Sequence, residues 1–316
     1  MSAFANDRTY SVACLSGHGI GPEVMAEASR ALARVSRLHG FRIEETHAPF
    51  AGEAFAQSGH ALPQSTRKAT LEAEAILVAA AHAPALACVE SELDLHARID
   101  RVAYPSRGAV TVLSPLHETA VEWTLRRAFE VARSSRARIT SVGGDVRWTW
   151  LFRAEAARHE GVQTEELEVG PAVQGLAFEP ERFDVVVAPA AFAEPLFGVA
   201  AHAQQPRVAA SGRLARVGPG VFAPAHGAAE EIAGQGVANP ASMLLAAALM
   251  LGEGLHERRA AETLSGAVLE ACSNGTRTPD MVSAGVGATT REFGDVVLAE
   301  LPFAMTNAEF YREAVA

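Results

Sequence analysis

The stretch Ser11-Val-Ala-Cys-Leu-Ser-Gly-His-Gly-Ile-Gly-Pro-Glu-Val24 joins a short apolar run to a glycine-rich turn and then to a helical pattern. Residues 11–16 have the apolar character of a buried strand. Beyond the turn, apolar residues recur at helical spacing as far as Arg37, namely Val24, Ala28, Leu32 and Val35. Pro22 suits the first turn of a helix, and Glu23 suits the positive end of the helix dipole. The stretch therefore predicts a strand, a tight turn and a helix in succession.

The glycine-rich turn allows two interpretations. A strand, a glycine turn and a helix N-terminus together form a generic site for an anion or a nucleotide. However, Pro22 stands where the third glycine of GxGxxG belongs, and the string is not a Walker A loop either. A tight turn with a purely structural role explains the glycines equally well.

Strands and helices alternate through the rest of the chain. The predicted strands are residues 41–48, 75–79, 110–113, 138–142 and 183–188. The predicted helices are residues 66–75, 119–133, 153–159, 243–252 and 258–272. This alternation predicts an α/β fold with a largely parallel core sheet. No internal repeat, low-complexity segment or interdomain linker is visible.

Composition excludes several classes of protein. The 316 residues are 49% hydrophobic and 20% charged, which is typical of a globular chain. A net charge of −10 argues against nucleic acids and anionic membranes as partners. The N-terminus lacks a signal peptide pattern, and the longest apolar run, residues 243–251, is shorter than the ~20 residues that span a bilayer. We therefore expect a cytoplasmic protein. Its three cysteines lack zinc-site spacing, which predicts reduced, buried thiols.

Four ordered blocks carry a resemblance to a known family. They are residues 15–24, which resemble its G-D-G-I-G-P-E opening, residues 62–78, residues 221–240 and residues 287–295. On these blocks the chain resembles the isocitrate/isopropylmalate dehydrogenases, a family of β-decarboxylating dehydrogenases. The resemblance implies a two-domain α/β fold with a mixed, largely parallel sheet. Domain one would contain residues 1–95 plus 206–316, domain two would contain residues 96–205, and the active site would lie between them.

The block of residues 221–240 resembles the family's loop for a nicotinamide cofactor. The resemblance assigns cofactor binding to His226, Gly227, Glu231, Ile232 and Asn239. A carboxylate at Glu231 would bind ribose hydroxyls and repel a 2′-phosphate, so NAD is favoured over NADP. The alternative is that the loop persists because it packs domain one.

At other positions the residues that the family uses for substrate binding, catalysis and metal binding are replaced. Glu90 and Asp100 stand where the family has two substrate arginines, so Arg98 or Arg101 would have to replace them. The chain runs from His117 directly into a helix, so the arm that clasps family dimers is deleted. The string Val142-Gly-Gly-Asp-Val146 lacks the catalytic lysine, and the catalytic tyrosine is unmatched. Of the metal-binding carboxylates only Glu194 aligns, because the other two positions are Gly170 and Gly198. A divalent metal site is therefore not expected.

These losses predict a pseudoenzyme, or a binding or regulatory subunit, that still binds NAD or another small ligand. The alternative is an active NAD-dependent dehydrogenase of a small 2-hydroxy acid of the 3-isopropylmalate type. We expect a homodimer to which residues 243–251 contribute an apolar surface, or a heteromer with a catalytic relative. New imidazole chemistry at His18, His82, His96, His117 or His202 is a further alternative to surface or capping roles, and Glu155 with His159 is predicted to form a solvated pair.

Overall fold

The computed structural model describes residues 8–80, 83–105, 108–203, 208–282 and 287–315. The strands are β1 Thr9–Leu15, β2 Arg42–His47, β3 Ala75–Val78, β4 Leu95–Tyr104, β5 Gly108–Pro115, β6 Arg138–Val142, β7 Gln163–Leu167, β8 Val185–Val187, β9 Val208–Ala215 and β10 Gly220–Pro224. The α-helices are α1 Gly21–His39, α2 Ala51–Ser58, α3 Gln64–Glu72, α4 Ala83–Glu90, α5 Val121–Arg133, α6 Val146–Ala156, α7 Val169–Phe178, α8 Ala190–His202, α9 Ala241–Leu249, α10 Arg258–Ser273 and α11 Thr290–Val315.

The chain divides into two compact units. The first contains residues 1–94 and 217–316, and the second contains residues 95–216. The sequence-based division placed residues 206–216 in the first unit, and the structure corrects this boundary. The reason is strand β9, which pairs antiparallel with β4 from Val208 to Ala215 and therefore belongs to the middle unit.

The first unit contains a fully parallel group of strands in the order β2-β1-β3-β10. Because the strands are parallel, their carboxyl ends share one edge of the sheet. The glycine turn after β1 and the loop after β10 both start from this edge. The edge is the usual position of ligand sites in open α/β sheets.

Helix α9 is the core of the first unit. Its sequence is apolar on all sides, and every residue except Ser242 is buried. Helices that are hydrophobic all round lie inside a protein rather than on its surface. The prediction that residues 243–251 supply a dimer surface is therefore wrong, since Met243, Leu245 and Leu251 are already enclosed within a single chain.

The second unit has a mixed sheet in the order β9-β4-β5-β8-β6-β7. Strand β4 is antiparallel to both β9 and β5, whereas β5, β8, β6 and β7 are parallel. Its core contains Val102, Val112, Phe183 and Leu196. The expected α/β class with a mixed, largely parallel sheet is thus confirmed.

The connection after β5 is short. Only Leu116 and His117 separate β5 from a 3-10 turn at Glu118–Ala120, which continues into α5. This connection leaves no room for an arm, as the sequence indicated. The predicted helix over residues 153–159 was misplaced, because Asp145 accepts a hydrogen bond from the backbone N–H of Trp148 and starts α6 at Val146.

Two further sequence expectations concern thiols and hydrophobic spans. Cys14 and Cys272 are buried as predicted, but Cys88 is exposed. Across the described residues, no helix is both long and apolar enough to cross a membrane.

Candidate functional site

The glycine turn between β1 and α1 is closely packed. Gly17 and Gly19 have φ angles of 72° and 62°, in the left-handed region that favours glycine. A Cβ atom on Gly17 would lie 1.8 Å from the carbonyl oxygen of Ala80, and one on Gly19 would lie 1.9 Å from that of Ala228. The glycines therefore allow backbone to approach backbone. This geometry supports the structural interpretation of the turn over a phosphate cradle.

The loop of residues 225–240 connects β10 to α9 and is held from two sides. Glu23, in the first turn of α1, accepts hydrogen bonds from the backbone N–H groups of Gly234 and Gly236, the latter at 3.0 Å. From α11, Thr290 donates its hydroxyl to the carbonyl of Ala238 at 2.7 Å. The backbone N–H of Ile20 donates to Ala228 at 2.8 Å. The loop is therefore anchored at several points before any ligand binds.

His226 and Gly227 lie at the start of this loop. The Nδ1 atom of His226 is 3.0 Å from the carbonyl oxygen of Gly227. Its Nε2 atom is buried and makes no hydrogen bond within the described part of the chain. Burial lowers the pKa of His226, so the imidazole is neutral near pH 7. A buried polar atom without a partner is costly in a finished structure, and a ligand atom would satisfy it.

Glu231 and Ile232 lie on a 3-10 turn, Glu230–Ile232, in the middle of the loop. The Glu231 side chain is exposed and Ile232 is half-buried. Asn239 has a structural role at the end of the loop. Its side chain donates to Asp280 at 3.0 Å and accepts from the N–H of Ala241 at 3.0 Å, at the start of α9. The five predicted cofactor residues thus share one loop, where Glu231 and His226 have polar atoms available.

The substrate segment lies on β4 of the second unit. Asp100 is buried and accepts hydrogen bonds from Arg98, at 2.6 Å, and from the hydroxyl of Ser211. Desolvation raises the pKa of Asp100, and the positive charge of Arg98 acts in the opposite direction. Arg98 also contacts the exposed Glu194 at 3.4 Å. Its charge is thus opposed by two carboxylates, which makes Arg98 a poor substitute for a substrate arginine.

The positions that the sequence resemblance relates to metal ligands are Glu194, Gly170 and Gly198. Glu194 lies on α8 and is engaged with Arg98. Gly170 and Gly198 bring no side-chain ligand. In the described ranges, only one group of three potential ligand side chains is close enough to hold an ion, and Glu194 is not part of it. The residues present therefore do not fit the oxygen-rich site that Mg²⁺ requires.

A feature that the sequence analysis overlooked concerns lysine. The whole chain contains one lysine, Lys68. It lies on α3, is 72% exposed, and its Nζ atom is 3.8 Å from Glu72 at helical i,i+4 spacing. Counting lysines in the sequence would have shown that no lysine is available for the family's catalytic position. A second copy of the chain would bring only another Lys68.

The two tyrosines with described side chains, Tyr10 and Tyr104, are buried in the core. Both are about 1% exposed. The Tyr10 hydroxyl donates to Glu257 at 2.6 Å, and that of Tyr104 donates to the carbonyl of Ala200 at 2.8 Å. Burial raises the pKa of both hydroxyls, so neither readily gives up a proton. The remaining Tyr311 lies where side chains are not described.

A cavity of about 530 Å³ opens in the second unit, where strands β6, β7 and β8 end. Gly143, Gly144 and Asp145 supply one wall, and Asp145 is occupied in capping α6. The lining includes Gly143, Trp148, Phe192, Glu118, Asp145 and Glu168. Arg147 is the one cation among the lining side chains, against three carboxylates. This balance disfavours a dicarboxylate ligand.

Among the described residues, no group of three potential ligand side chains contains His18, His96, His117 or His202. His18 contacts Glu230 at 3.1 Å, and His96 stacks edge-on against His117 and Trp123. His82 lies outside the described residues. The prediction of a solvated pair at Glu155 and His159 is wrong. Glu155 is buried, the His159 side chain is only 10% exposed and stacks on Phe129, and the two side chains are 3.0 Å apart.

Fold and loop together define a two-unit α/β protein. The model of the family described as isocitrate/isopropylmalate dehydrogenase matches residues 11–99 and 94–297. The chain therefore belongs to the isocitrate/isopropylmalate dehydrogenase family.

Individual relatives agree with this assignment. A 3-isopropylmalate dehydrogenase of Aquifex aeolicus is 28% identical, with 93% of this chain and 98% of the relative covered. One from Prochlorococcus marinus is 30% identical, with 88% and 95% covered. Among solved structures, a β-decarboxylating dehydrogenase of Thermococcus kodakarensis has a TM-score of 0.78 at 23% identity, with 93% and 96% covered. The Aquifex alignment runs over 364 positions, more than the 316 residues here, so that relative carries segments that this chain lacks.

Proposed function

We propose that this protein is a binding or regulatory member of its family, which takes NAD at the loop of residues 225–240 and lacks metal-dependent oxidative decarboxylation. The observation that carries the proposal is the single lysine. Proton transfer in this chemistry needs a positioned acid or base, and Lys68 is exposed and paired with Glu72. The buried hydroxyls of Tyr10 and Tyr104 offer no replacement.

The nucleotide part of the proposal is supported by the loop itself. When bound, NAD supplies a hydride acceptor. The exposed carboxylate of Glu231 would accept hydrogen bonds from ribose hydroxyls, and the buried Nε2 of His226 offers a polar atom to the ligand. The loop is already anchored by Glu23 and Thr290, so little ordering entropy remains to be lost on binding.

The charges around Arg98 and Glu194 support the proposed lack of metal-dependent oxidative decarboxylation. Arg98 is opposed by Asp100 and Glu194, and among the described residues Glu194 is not part of any group of three potential ligand side chains. An isolated carboxylate cannot supply the oxygen ligands of Mg²⁺. We further propose that the protein is cytoplasmic.

The decisive test of nucleotide binding is calorimetry of the purified protein with NAD⁺, NADH and ADP. We expect NAD(H) to bind more tightly than ADP. Glu231→Gln should weaken NAD affinity by ~10-fold or more, because hydrogen bonds to charged groups contribute about 1.5–3 kcal/mol. Glu160→Gln, at an exposed acid of the second unit, is the matched control. Absence of NAD(H) binding at high ligand concentration, or an unchanged affinity for Glu231→Gln, would contradict the proposal.

A second candidate is an active NAD-dependent dehydrogenase of a small 2-hydroxy acid of the 3-isopropylmalate type. It is favoured by curated relatives of that name that match 93% of the chain. The measurement is NADH formation with 3-isopropylmalate, isocitrate, malate and tartrate, with and without Mg²⁺. Sustained Mg²⁺-dependent turnover by the pure protein would establish this candidate and overturn the first. Binding of NAD without turnover would support the first.

For assembly we propose a homodimer, with a heteromer containing a catalytic relative as the alternative. Support for a dimer comes from the fold family alone. Helix α9 is enclosed within the chain, and the short β5–α5 connection contains no arm. Sedimentation of the pure protein should show a dimer at micromolar concentration. A purely monomeric profile would exclude the homodimer.

A further inference from the structure

Three side chains of different chemistry meet in the first unit, outside the loop described above. They are the thiol of Cys14, the carboxylate of Glu45 and the imidazole of His47. One potential ligand atom from each lies within 4.8 Å of the other two. Among the described residues this is the one such group of three or more.

Strand geometry explains how the three side chains meet. Glu45 and His47 are two residues apart on β2, so they project from the same face. In the parallel pairing of β1 with β2, Cys14 lies opposite His47, and Val12 lies opposite Glu45. Cys14 therefore projects from the same face as both. Sequence spacing alone could not reveal the group, since it depends on the register of two strands that are 26 residues apart.

Contacts around the group already orient its members. The Nε2 atom of His47 lies 3.0 Å from Oε2 of Glu45. The hydroxyl of Ser29, on α1, donates to the same oxygen at 2.6 Å. Cys14 is fully buried, Glu45 is 17% exposed and His47 is 53% exposed. The group therefore runs from the core to the solvent, which gives an ion a route of entry past His47.

We propose that Cys14, Glu45 and His47 form a binding site for a divalent ion of zinc-like chemistry. Thiolate, imidazole and carboxylate are the ligand types that Zn²⁺ takes in proteins. A hard oxygen-seeking ion such as Mg²⁺ would not select a thiol. The site is separate from the proposed nucleotide loop, and its test does not depend on NAD binding.

Distance and charge both support this choice. Tetrahedral Zn²⁺ with bonds of ~2.0 Å to nitrogen or oxygen and ~2.3 Å to sulfur requires ligand atoms roughly 3.3–3.6 Å apart. The ligand atoms lie within 4.8 Å of one another, so the largest closure needed is roughly 1.2–1.5 Å, within reach of side-chain rotations. When Zn²⁺ binds, the Cys14 proton leaves to solvent, and the ion with one thiolate and one carboxylate sums to zero charge. A neutral group is compatible with burial beneath α1.

Three protein ligands leave a fourth tetrahedral position open. Because His47 is the most exposed member, water would fill that position from its side. Ser29 would act as a positioning residue, since its hydroxyl holds the Glu45 carboxylate. Such supporting contacts change metal affinity by roughly 10–100-fold.

The test is cobalt substitution of the full-length protein after removal of metals with a chelator. Co²⁺ should bind one equivalent and give the near-ultraviolet absorption of a thiolate-to-cobalt bond, and Zn²⁺ should displace it. Cys14→Ala should abolish this absorption. Cys272→Ser removes a buried thiol on α10 and is the matched control, which should keep it. Ser29→Ala should retain the absorption with ~10–100-fold lower affinity.

Thermal unfolding supplies an independent readout. Zn²⁺ should raise the unfolding temperature of the wild type, since a ligand that binds only the folded state stabilises it. If Cys14→Ala fails to fold, His47→Gln tests the site instead, because a half-exposed position tolerates substitution. This variant should bind Zn²⁺ roughly tenfold or more weakly than the wild type. No cobalt–thiolate absorption in the wild type, or equal affinities in wild type and His47→Gln, would overturn the proposal.

Discussion

Asp100 shows how one replacement changes the chemistry of a segment. The family carries an arginine at this position by the sequence resemblance, and here a buried carboxylate accepts hydrogen bonds from Arg98 and Ser211. The position therefore offers no positive charge for a dicarboxylate, and its carboxylate pairs with the nearest arginine. The same carboxylate has become part of the structure of β4.

Replacing Asp100 tests this structural role. Asp100→Ala should lower the free energy of unfolding by ~3–5 kcal/mol, because it leaves Arg98 largely buried without its main counter-charge. Glu194→Ala removes the exposed partner of the same arginine and should cost about 1 kcal/mol or less. Urea unfolding of both variants measures the difference. Equal stabilities would show that Asp100 is not a buried counter-ion.

His226 leads to a pH prediction. Its pKa in the folded state lies below the ordinary value of 6.5, so the unfolded chain takes up the proton first as the pH falls. Its contribution to stability is therefore fully present above pH 6.5 and is lost as the pH falls through the folded-state pKa. His226→Gln should flatten the decline of stability as the pH falls below 6.5, with the free energy of unfolding measured by urea at each pH. An unchanged slope in His226→Gln would refute the assignment.

At the scale of elements, the glycine turn couples β1 and α1 to the loop after β10. Gly19→Ala should destabilise the protein far more than Gly59→Ala. Both glycines have positive φ angles, of 62° and 73°, so both substitutions carry a strain of about 1–2 kcal/mol. Only Gly19 adds a clash, since its new Cβ would lie 1.9 Å from the Ala228 carbonyl oxygen, whereas nothing lies within 4 Å of Gly59. Thermal unfolding of the two variants measures the loss of stability. Equal losses would mean that the turn can accommodate a Cβ atom at Gly19.

Elements with a strong local pattern were the ones that the sequence predicted. Strands β1, β3 and β8 are largely apolar runs bounded by turn residues, and the helical spacing of α1 and α5 is clear. Strand β9, with the sequence Val-Ala-Ala-Ser-Gly-Arg-Leu-Ala, has no such pattern and exists because β4 pairs with it along its length. Helix α9 was recognised as a helix, but its burial on all sides depends on what packs around it.

At the scale of the whole molecule, the pairing of β4 with β9 sets the limits of the second unit. A fragment of residues 95–216 should unfold cooperatively, since it contains every strand and helix of that unit. A fragment of residues 95–205 should be markedly less stable, because it leaves the backbone of β4 unpaired along one side. Circular dichroism during thermal unfolding distinguishes them, and equal behaviour of the two fragments would contradict this boundary.

The sequence by itself determined the family and showed which of the family's functional residues are replaced. Four ordered blocks, the acids at positions 90 and 100, and the single Lys68 are properties of composition and local order, which need no folding to be read. Only the tertiary structure decided which side chains meet. The group of Cys14, Glu45 and His47, the contact of Arg98 with Glu194 and the enclosure of α9 all depend on contacts between distant segments. Strand register and packing create such contacts, and no local pattern encodes them.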